Sequence, residues 1–221
     1  MLHRLWITAL VVLALGLTTN VVVPRDAVAE DAAQGEMVSI FDGKTLNGWK
    51  QINGTATYKV EDGAIVGTTA QGSPNSFLCS EKHYGDFELE FEVKVDTDLN
   101  SGCQIRSNSL KDYQNGRVHG YQVEIATNGN AGFIYDEARR GWLSKDRSDE
   151  AARAAFKDGE WNKYRIVCKG DSLKTWVNGV PVADVTDSMT ASGFIGLQVH
   201  SVSGDPKWQV RWRNLKLREL K

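Results

Sequence analysis

Three short segments of the sequence carry side chains that can hold a polar ligand and move a proton. Each alternates polar with apolar residues, and its polar positions hold amides, a guanidinium, a carboxylate or an imidazole. They are Gln104 and Arg106 in "GCQIRS", Gln122 and Glu124 in "YQVEIA", and Gln198 and His200 in "GFIGLQVHS". Because successive side chains of a β-strand point to opposite faces, each pair shares a face. If the three strands are neighbours in a curved sheet, all six side chains line one concave surface.

This set predicts a hydrogen-bonding floor for a polyhydroxylated ligand, with Glu124 and His200 as a proton-transfer pair. The alternative is that each strand simply has a solvated face, as antiparallel strands usually do. Arg106 and Glu124 would then form an exposed ion pair worth at most about 1 kcal/mol. The recurrence of the same chemistry on three strands favours a site.

A long loop supplies two further candidates, Asp136 and Trp142, as substrate-binding residues. Residues 128–159 read as loop except for "SDEAARAAF" (148–156), which predicts a short helix capped by Ser148. Long loops in compact β domains are often functional, so this one is expected to form a wall or lid. The alternative is a solvated, salt-bridged loop anchored by Trp142.

The elements that must position these residues are β-strands. Short runs with period-two alternation follow one another along the chain, separated by turn signals such as "EDGA", "KGDS" and "VNGV". Helical periodicity is nearly absent. The pattern predicts an all-β jelly-roll sandwich of two antiparallel sheets, with one short helix in a long loop.

The 221-residue chain divides into a predicted signal peptide over residues 1–29, a polar lead over 30–38 and one domain over 39–221. The leader has a basic start, an apolar stretch too short for a membrane span and an "AVA" cleavage motif, which predicts a periplasmic or secreted protein. Without the leader, 24 basic and 27 acidic residues leave a net charge near −3 and no basic block. This balance argues against nucleic acid or an anionic membrane as the main partner.

The cysteines and histidines give no metal or nucleophile signature. Cys79, Cys103 and Cys168 are odd in number and far apart, so we expect small buried hydrophobic side chains rather than a disulfide framework. No phosphate-binding loop, nucleophile elbow or zinc-type spacing occurs. No cofactor is predicted, although the acidic loop leaves room for a divalent ion held by oxygen ligands.

Several phrases of the sequence together resemble one known family. They run in order from residue 39 to the C-terminus and include "SIFDGKTLNGWK", "YGDFELEFEVKV", "NSGCQIRS", "VHGYQVEI" and "GFIYDEARRGWL". The chain is similar to the 3-keto-disaccharide hydrolase domains. This resemblance implies a concanavalin-like jelly roll. It also implies action on 3-keto-glycosides, as a 1,2-lyase or as a hydratase of the resulting 3-keto-2-hydroxy-glucal.

That chemistry needs a base for the C2 proton, an acid for the leaving oxygen and stabilisation of the enolate. We expect Glu124 or His200 as the base and the other as the acid. Arg106, with one or more of the three glutamines, is expected to hold the enolate and the hydroxyls.

Two rival functions remain open. One is an ordinary glycoside hydrolase, whose second carboxylate would have to come from Asp136 or Glu137. The other is a non-catalytic carbohydrate-binding module, which needs no proton-transfer pair.

Overall fold

A computed structural model describes residues 35–96 and 99–221. The predicted signal peptide and the first part of the polar lead lie outside the described residues. Within residues 35–96 and 99–221, no helix has the length and apolar character that crossing a membrane requires.

The described residues form two antiparallel sheets, as the sequence predicts. The seven-stranded sheet contains, in spatial order, β10 (Gly141–Trp142), β9 (Ile134–Glu137), β8 (His119–Ile125), β7 (Ser101–Asn108), β14 (Gly193–Val199), β5 (Ser76–Tyr84) and β2 (Trp49–Ile52). The eight-stranded sheet contains β13 (Val180–Thr186), β12 (Ser172–Val177), β11 (Asn162–Lys169), β6 (Phe87–Val95), β15 (Gln209–Glu219), β4 (Ala64–Thr68) and β3 (Thr57–Glu61), with β1 (Val38–Ser39) beside β15. The predicted sandwich is therefore confirmed.

The core lies between the two sheets and follows the period-two alternation of the strands. From the eight-stranded sheet, β6 contributes alternate residues such as Phe87 and Phe91, and Phe91 stacks on Tyr164 at 5.0 Å between ring centroids. From the seven-stranded sheet, Val123 and Leu197 face the same core and are fully buried. The residues between them on β7, β8 and β14 must therefore point to the outer face of the seven-stranded sheet.

The three cysteines are free and buried, which confirms the expectation of small buried hydrophobic side chains. Cys103 and Cys168 belong to the core between the sheets. Cys79 belongs to a small apolar cluster with Phe77 and Phe194. Burial raises the pKa of all three thiols, so they carry no thiolate at neutral pH.

The predicted short helix exists, but it is shorter than its sequence pattern and is capped by a different residue. Helix α1 covers Glu150–Arg153, and the side chain of Asp149 accepts a hydrogen bond from the Ala152 amide at 3.0 Å. The Ser148 hydroxyl instead donates to Asp146 at 2.7 Å. Asp149 is thus the cap, because an aspartate one residue nearer the helix can reach the free amide.

The side chain of Arg106 does not lie where strand alternation predicts it. The register between β7 and β8 shifts between Ile105 and Asn108, and Arg106 lies in this bulge with φ of 46°. A bulge adds a residue and re-aims the side chain, so Arg106 does not join the outer face. Its guanidinium donates to the carbonyls of Gly85 and Gly170 and to the Asp86 carboxylate, each at 2.7 Å. The side chain is 1% exposed, and its hydrogen bonds go to the turns that contain Gly85, Asp86 and Gly170.

We therefore expect Arg106→Ala to lower the free energy of unfolding by about 3 kcal/mol, because the Gly85 and Gly170 carbonyls and Asp86 lose a charged donor. The urea midpoint of unfolding measures this. Arg117→Ala is the matched control, since that side chain is half exposed, and its change should stay within about 0.5 kcal/mol. Equal midpoints for the two variants would contradict a structural role for Arg106.

Candidate functional site

Strands β8, β7 and β14 are neighbours, so the structure brings together the polar residues that alternation places on one face. Gln104 pairs across the strands with Gln122, and Gly196 pairs with Gln104. Gln198 follows Gly196 on the same face of β14. These glutamines are at most 3% exposed, so the alternative of a solvated strand face is wrong.

The three glutamines form a directed hydrogen-bond network. Gln104 and Gln198 donate their Nε2 groups to Oε1 of Gln122, at 2.6 and 2.9 Å. Gln122 then donates its own Nε2 to Oε2 of Glu124 at 3.0 Å. Oε1 of Gln104 accepts from the Ser107 hydroxyl at 2.8 Å. Only Gln122 reaches the cleft above, whereas Gln104 and Gln198 lie beneath it and support Gln122.

Glycines provide the space for this network. A Cβ built on Gly102, which pairs with Glu124, would lie 2.4 Å from Cδ of Gln122. A Cβ on Gly196 would lie 3.1 Å from Cβ of Gln104. A side chain at Gly102 would displace the Gln122 amide, and one at Gly196 would press on the side chain of Gln104. This explains glycine in strand interiors, where it is otherwise unfavourable.

Above this floor lies a polar cleft of about 260 Å³. Glu124 and Gln122 form its base, and loops or neighbouring strands supply the rest. The lining residues are Asn75, Asn100, Arg117, Gln122, Glu124, Tyr135, Glu137, Trp142 and His200. The structure therefore brings Glu124, His200, Gln122 and Trp142 together in one cleft, as the sequence predicts.

Glu124 is a buried carboxyl group held by two amide donors. It is 6% exposed, and its Oε1 accepts from the side chain of Asn100 while its Oε2 accepts from Gln122. Burial, with a smaller contribution from the negative charge of Glu137, raises the pKa of Glu124 from 4.5 to about 7. The two amide donors favour the carboxylate and oppose this rise. Glu124 is thus near half ionised at neutral pH, as proton transfer at that pH requires.

His200 lies at the end of β14, at the rim of the cleft. Its Nδ1 is 2.7 Å from the Ser201 carbonyl oxygen, and because a carbonyl only accepts, Nδ1 carries a proton. In the neutral ring, Nε2 is then the nitrogen with the free lone pair.

Aromatic residues close one end of the cleft. Trp142 on β10 and Tyr135 on β9 are cross-strand partners and meet edge to face, with centroids 5.1 Å apart. The guanidinium of Arg147 lies 4.2 Å from the centroid of the Trp142 ring. This contact fixes the indole by a cation–π interaction.

Comparisons with known proteins assign the chain to a family. Residues 36–218 match the family model described as the 3-keto-alpha-glucoside-1,2-lyase-like domain. The chain belongs to this family. A relative from Bacteroides thetaiotaomicron, named 3-keto-disaccharide hydrolase, is 26% identical to it over 83% of this chain and 78% of that protein.

Solved structures share the fold of this lyase-like domain at low sequence identity. A Parabacteroides distasonis protein proposed to be a glycosyl hydrolase matches with a TM-score of 0.62 and 20% identity, over 90% of this chain and 99% of that one. A carbohydrate-binding module of Bacillus subtilis matches with a TM-score of 0.53 and 16% identity, over 82% and 100%. A Bacillus licheniformis beta-glucanase matches with a TM-score of 0.54 and 12% identity, over 85% and 99%. At these identities the matches establish the jelly-roll fold.

Asp136, a predicted substrate-binding residue of this family member, lies outside the cleft. It pairs across the strands with Tyr121, which faces the core, so its side chain points away from Glu124. The fully buried carboxylate accepts hydrogen bonds from Arg139 at 2.6 Å and from Arg140 at 2.5 Å. Asp136 is therefore a structural ion-pair centre, and the prediction that it faces the ligand is wrong.

Five lining residues were not predicted as part of the primary site: Asn75, Asn100, Arg117, Tyr135 and Glu137. Glu137 is two residues from Tyr135 and so shares its face, and its Oε1 lies 3.4 Å from Nη2 of Arg117. A strand assignment for β9 would have identified Glu137 by the same parity that excludes Asp136. The two asparagines and Arg117 come from loops, where no periodicity indicates a direction.

Among the described residues, no group of three or more histidine, cysteine, aspartate and glutamate side chains is arranged to hold a metal ion.

Glu124 should make stability depend on pH. Its pKa is higher in the folded state, about 7, than the ordinary value of 4.5 expected when unfolded. The folded state therefore binds this proton more tightly, and the stabilisation is full below pH 4.5 and lost as pH rises through 7. The shift corresponds to about 3 kcal/mol. Urea midpoints at pH 5 and pH 8 should show the wild type losing more stability than Glu124→Gln, whose amide does not titrate. Parallel pH profiles for the two proteins would contradict the raised pKa.

Proposed function

We propose that the chain is an enzyme that cleaves 3-keto-glycosides by removing the C2 proton and expelling the C1 oxygen. The observation that carries the proposal is Glu124, a buried carboxyl with a pKa raised to about 7 at the base of a polar cleft. Membership of the 3-keto-alpha-glucoside-1,2-lyase-like family supports the substrate class. So does the printed name of the relative from B. thetaiotaomicron, 3-keto-disaccharide hydrolase.

The reaction suits a site that has acid–base groups. A ketone at C3 acidifies the C2 proton, because the carbanion at C2 is stabilised as an enolate. The C2 electron pair then forms the C1–C2 double bond, and the C1–O bond breaks with its electrons going to the leaving oxygen. The products are a 3-keto-2-hydroxy-glucal and a protonated leaving group. No oxocarbenium ion is required.

Glu124 is proposed as the C2 base. A carboxylate with a pKa near 7 is a stronger base than an ordinary one, and part of the population is ionised at neutral pH. Gln122 and Asn100 fix both oxygens of the carboxyl group, which favours a single orientation toward a bound sugar.

His200 is proposed as the acid that protonates the leaving oxygen. It stands at the rim of the polar cleft, and its Nδ1–H is held by the Ser201 carbonyl, so Nε2–H of the imidazolium is the proton that faces a ligand. After transfer the ring is neutral and can recover the C2 proton from Glu124 through solvent. The net reaction needs no other proton donor.

Arg117 takes the role that the sequence prediction gave to Arg106. Among the described residues that line the cleft, it is the only arginine. Its guanidinium lies beside Glu137 and remains half exposed, so it can form a hydrogen bond to an enolate oxygen without first breaking a buried structure. A cation aimed at developing negative charge stabilises it most where water is excluded.

Glu137 supports a second candidate, ordinary glycoside hydrolysis by two carboxyl groups. Glu137 pairs with Gly120, four residues before Glu124 on β8, which separates the two positions by about 13 Å along the strand. The carboxyl groups would have to lean toward each other to reach the roughly 6.5–9.5 Å of an inverting enzyme. This geometry favours the elimination, and turnover of an unoxidised disaccharide would favour the second candidate.

We also propose that the protein is exported to the periplasm or secreted. The support is the leader pattern of residues 1–29: a basic start, a short apolar stretch and an "AVA" motif.

The first test measures release of the leaving sugar from a 3-keto-disaccharide. Glu124→Gln and His200→Ala should each lower kcat/KM by about 10²-fold or more, the usual contribution of a general acid or base. His83→Ala is the control, because this exposed histidine is not among the residues lining the cleft. Near wild-type turnover by both site variants would contradict the proposal, and calorimetric binding without product would favour a binding module.

The two roles can be separated by the leaving group. A 4-nitrophenyl 3-keto-glucoside expels a stable phenolate that needs no acid. We therefore expect it to restore most of the activity of His200→Ala and none of that of Glu124→Gln. The reverse pattern would exchange the assignments of base and acid.

A further inference from the structure

A second cavity adjoins the polar cleft. It has a volume of about 510 Å³ and shares four lining residues with the cleft: Asn75, Arg117, Glu137 and His200. Glu124 and Gln122 line the polar cleft but not the second cavity. The two spaces are therefore adjacent, and His200 is one of the residues at their junction.

The second cavity has a different chemical character. Pro74 contributes exposed apolar surface to its wall, and Phe77, which is 2% exposed, lines it from a buried cluster with Cys79, Val118 and Phe194. Amides of Asn53, Gln114 and Asn115 lie around the rest of its wall. An apolar patch edged by amides suits a sugar ring, which has a C–H face and a hydroxyl edge, or an aryl group.

One wall is the loop between β7 and β8, residues 109–118, and hydrogen bonds link it to both sides of the seven-stranded sheet. Asn53, next to β2, donates Nδ2 to the Gly116 carbonyl at 3.2 Å and accepts from the Val118 amide at 2.8 Å. At the other end, the Tyr113 hydroxyl donates to the carbonyl of Ala138, next to β9, at 2.6 Å. The wall is thus held in place before any ligand binds, which lowers the entropy cost of binding.

We propose that this second cavity is the binding site for the leaving group, so that the substrate spans both spaces with its C1–O bond beside His200. This inference rests on the proposed function and deepens it. The keto ring lies over Glu124, and the second sugar or aryl group lies against Pro74. A hydratase acting on a 3-keto-2-hydroxy-glucal has no leaving group to place there, so the cavity favours glycoside cleavage over hydration as the main activity.

Blocking the cavity tests the proposal. Pro74 is exposed and lines only the second cavity, so Pro74→Trp adds bulk there without touching Glu124 or the contact between His200 and Ser201. Ser203→Trp is the control, since it adds the same side chain to an exposed position outside the lining of both spaces. Pro74→Phe adds a smaller ring at the same position, in case Pro74→Trp does not fold. Urea midpoints confirm that each variant is folded.

Two substrates separate the possible results. A 3-keto-disaccharide fills both spaces, whereas a methyl 3-keto-glycoside offers the same bond with a one-carbon leaving group. We expect Pro74→Trp to lower kcat/KM at least 10-fold for the disaccharide and less than 2-fold for the methyl glycoside, with Ser203→Trp unchanged for both.

Equal losses for the two substrates, or no loss for either, would overturn the leaving-group site and leave the proposed function intact. A wild-type protein that converts neither substrate would overturn the proposed function itself, and the leaving-group site would fall with it.

Discussion

The hydrogen bond from Gln122 to Glu124 is the contact on which the candidate site depends. Gln122 has no choice of orientation, because its Oε1 receives two amide N–H groups, from Gln104 and Gln198. Its Nε2 must therefore donate to Oε2 of Glu124. Oε1 of Glu124 accepts from Asn100 in the same way, so a neutral amide holds each oxygen of this carboxyl group. The network thus fixes the orientation of the carboxyl group without placing a charge beside it.

Burying that carboxyl group has a cost that the rest of the fold must offset. A pKa raised to about 7 means that the ionised form is disfavoured in the folded protein, so the site weakens stability at the pH where it works. The same three strands supply the compensation on their other face, where residues such as Ile105, Val123 and Leu197 are fully buried in the core between the sheets. Function and stability are therefore divided between the two faces of β7, β8 and β14.

Strand periodicity predicted the parts of the site that regular strands position. Alternation alone predicted that Gln122 and Glu124 share one face of the sheet with Gln104 and Gln198. It also predicted the sandwich. Arg106 was misplaced because a bulge interrupts the alternation of β7, and nothing in "QIRSN" indicates an inserted residue. Asp136 was misplaced because β9 was treated as loop, so its parity was not considered. The loop residues of the cleft could not be predicted, because their positions depend on contacts between distant parts of the chain.

A further signal was present in the strand glycines. Gly102 pairs with Glu124, Gly120 pairs with Glu137, and Gly196 pairs with Gln104, so three polar positions of the outer face each have a glycine as a cross-strand neighbour. Glycine weakens a strand, and its recurrence at the same face requires a reason other than turn formation. The reason is steric in all three cases, since a Cβ would meet Gln122 at Gly102, Gln104 at Gly196 and Ser107 at Gly120. Glycines on the same face of a sheet as buried amides and carboxyls therefore indicate where long polar side chains must lie flat across neighbouring strands. In this chain they indicate the floor of the cleft.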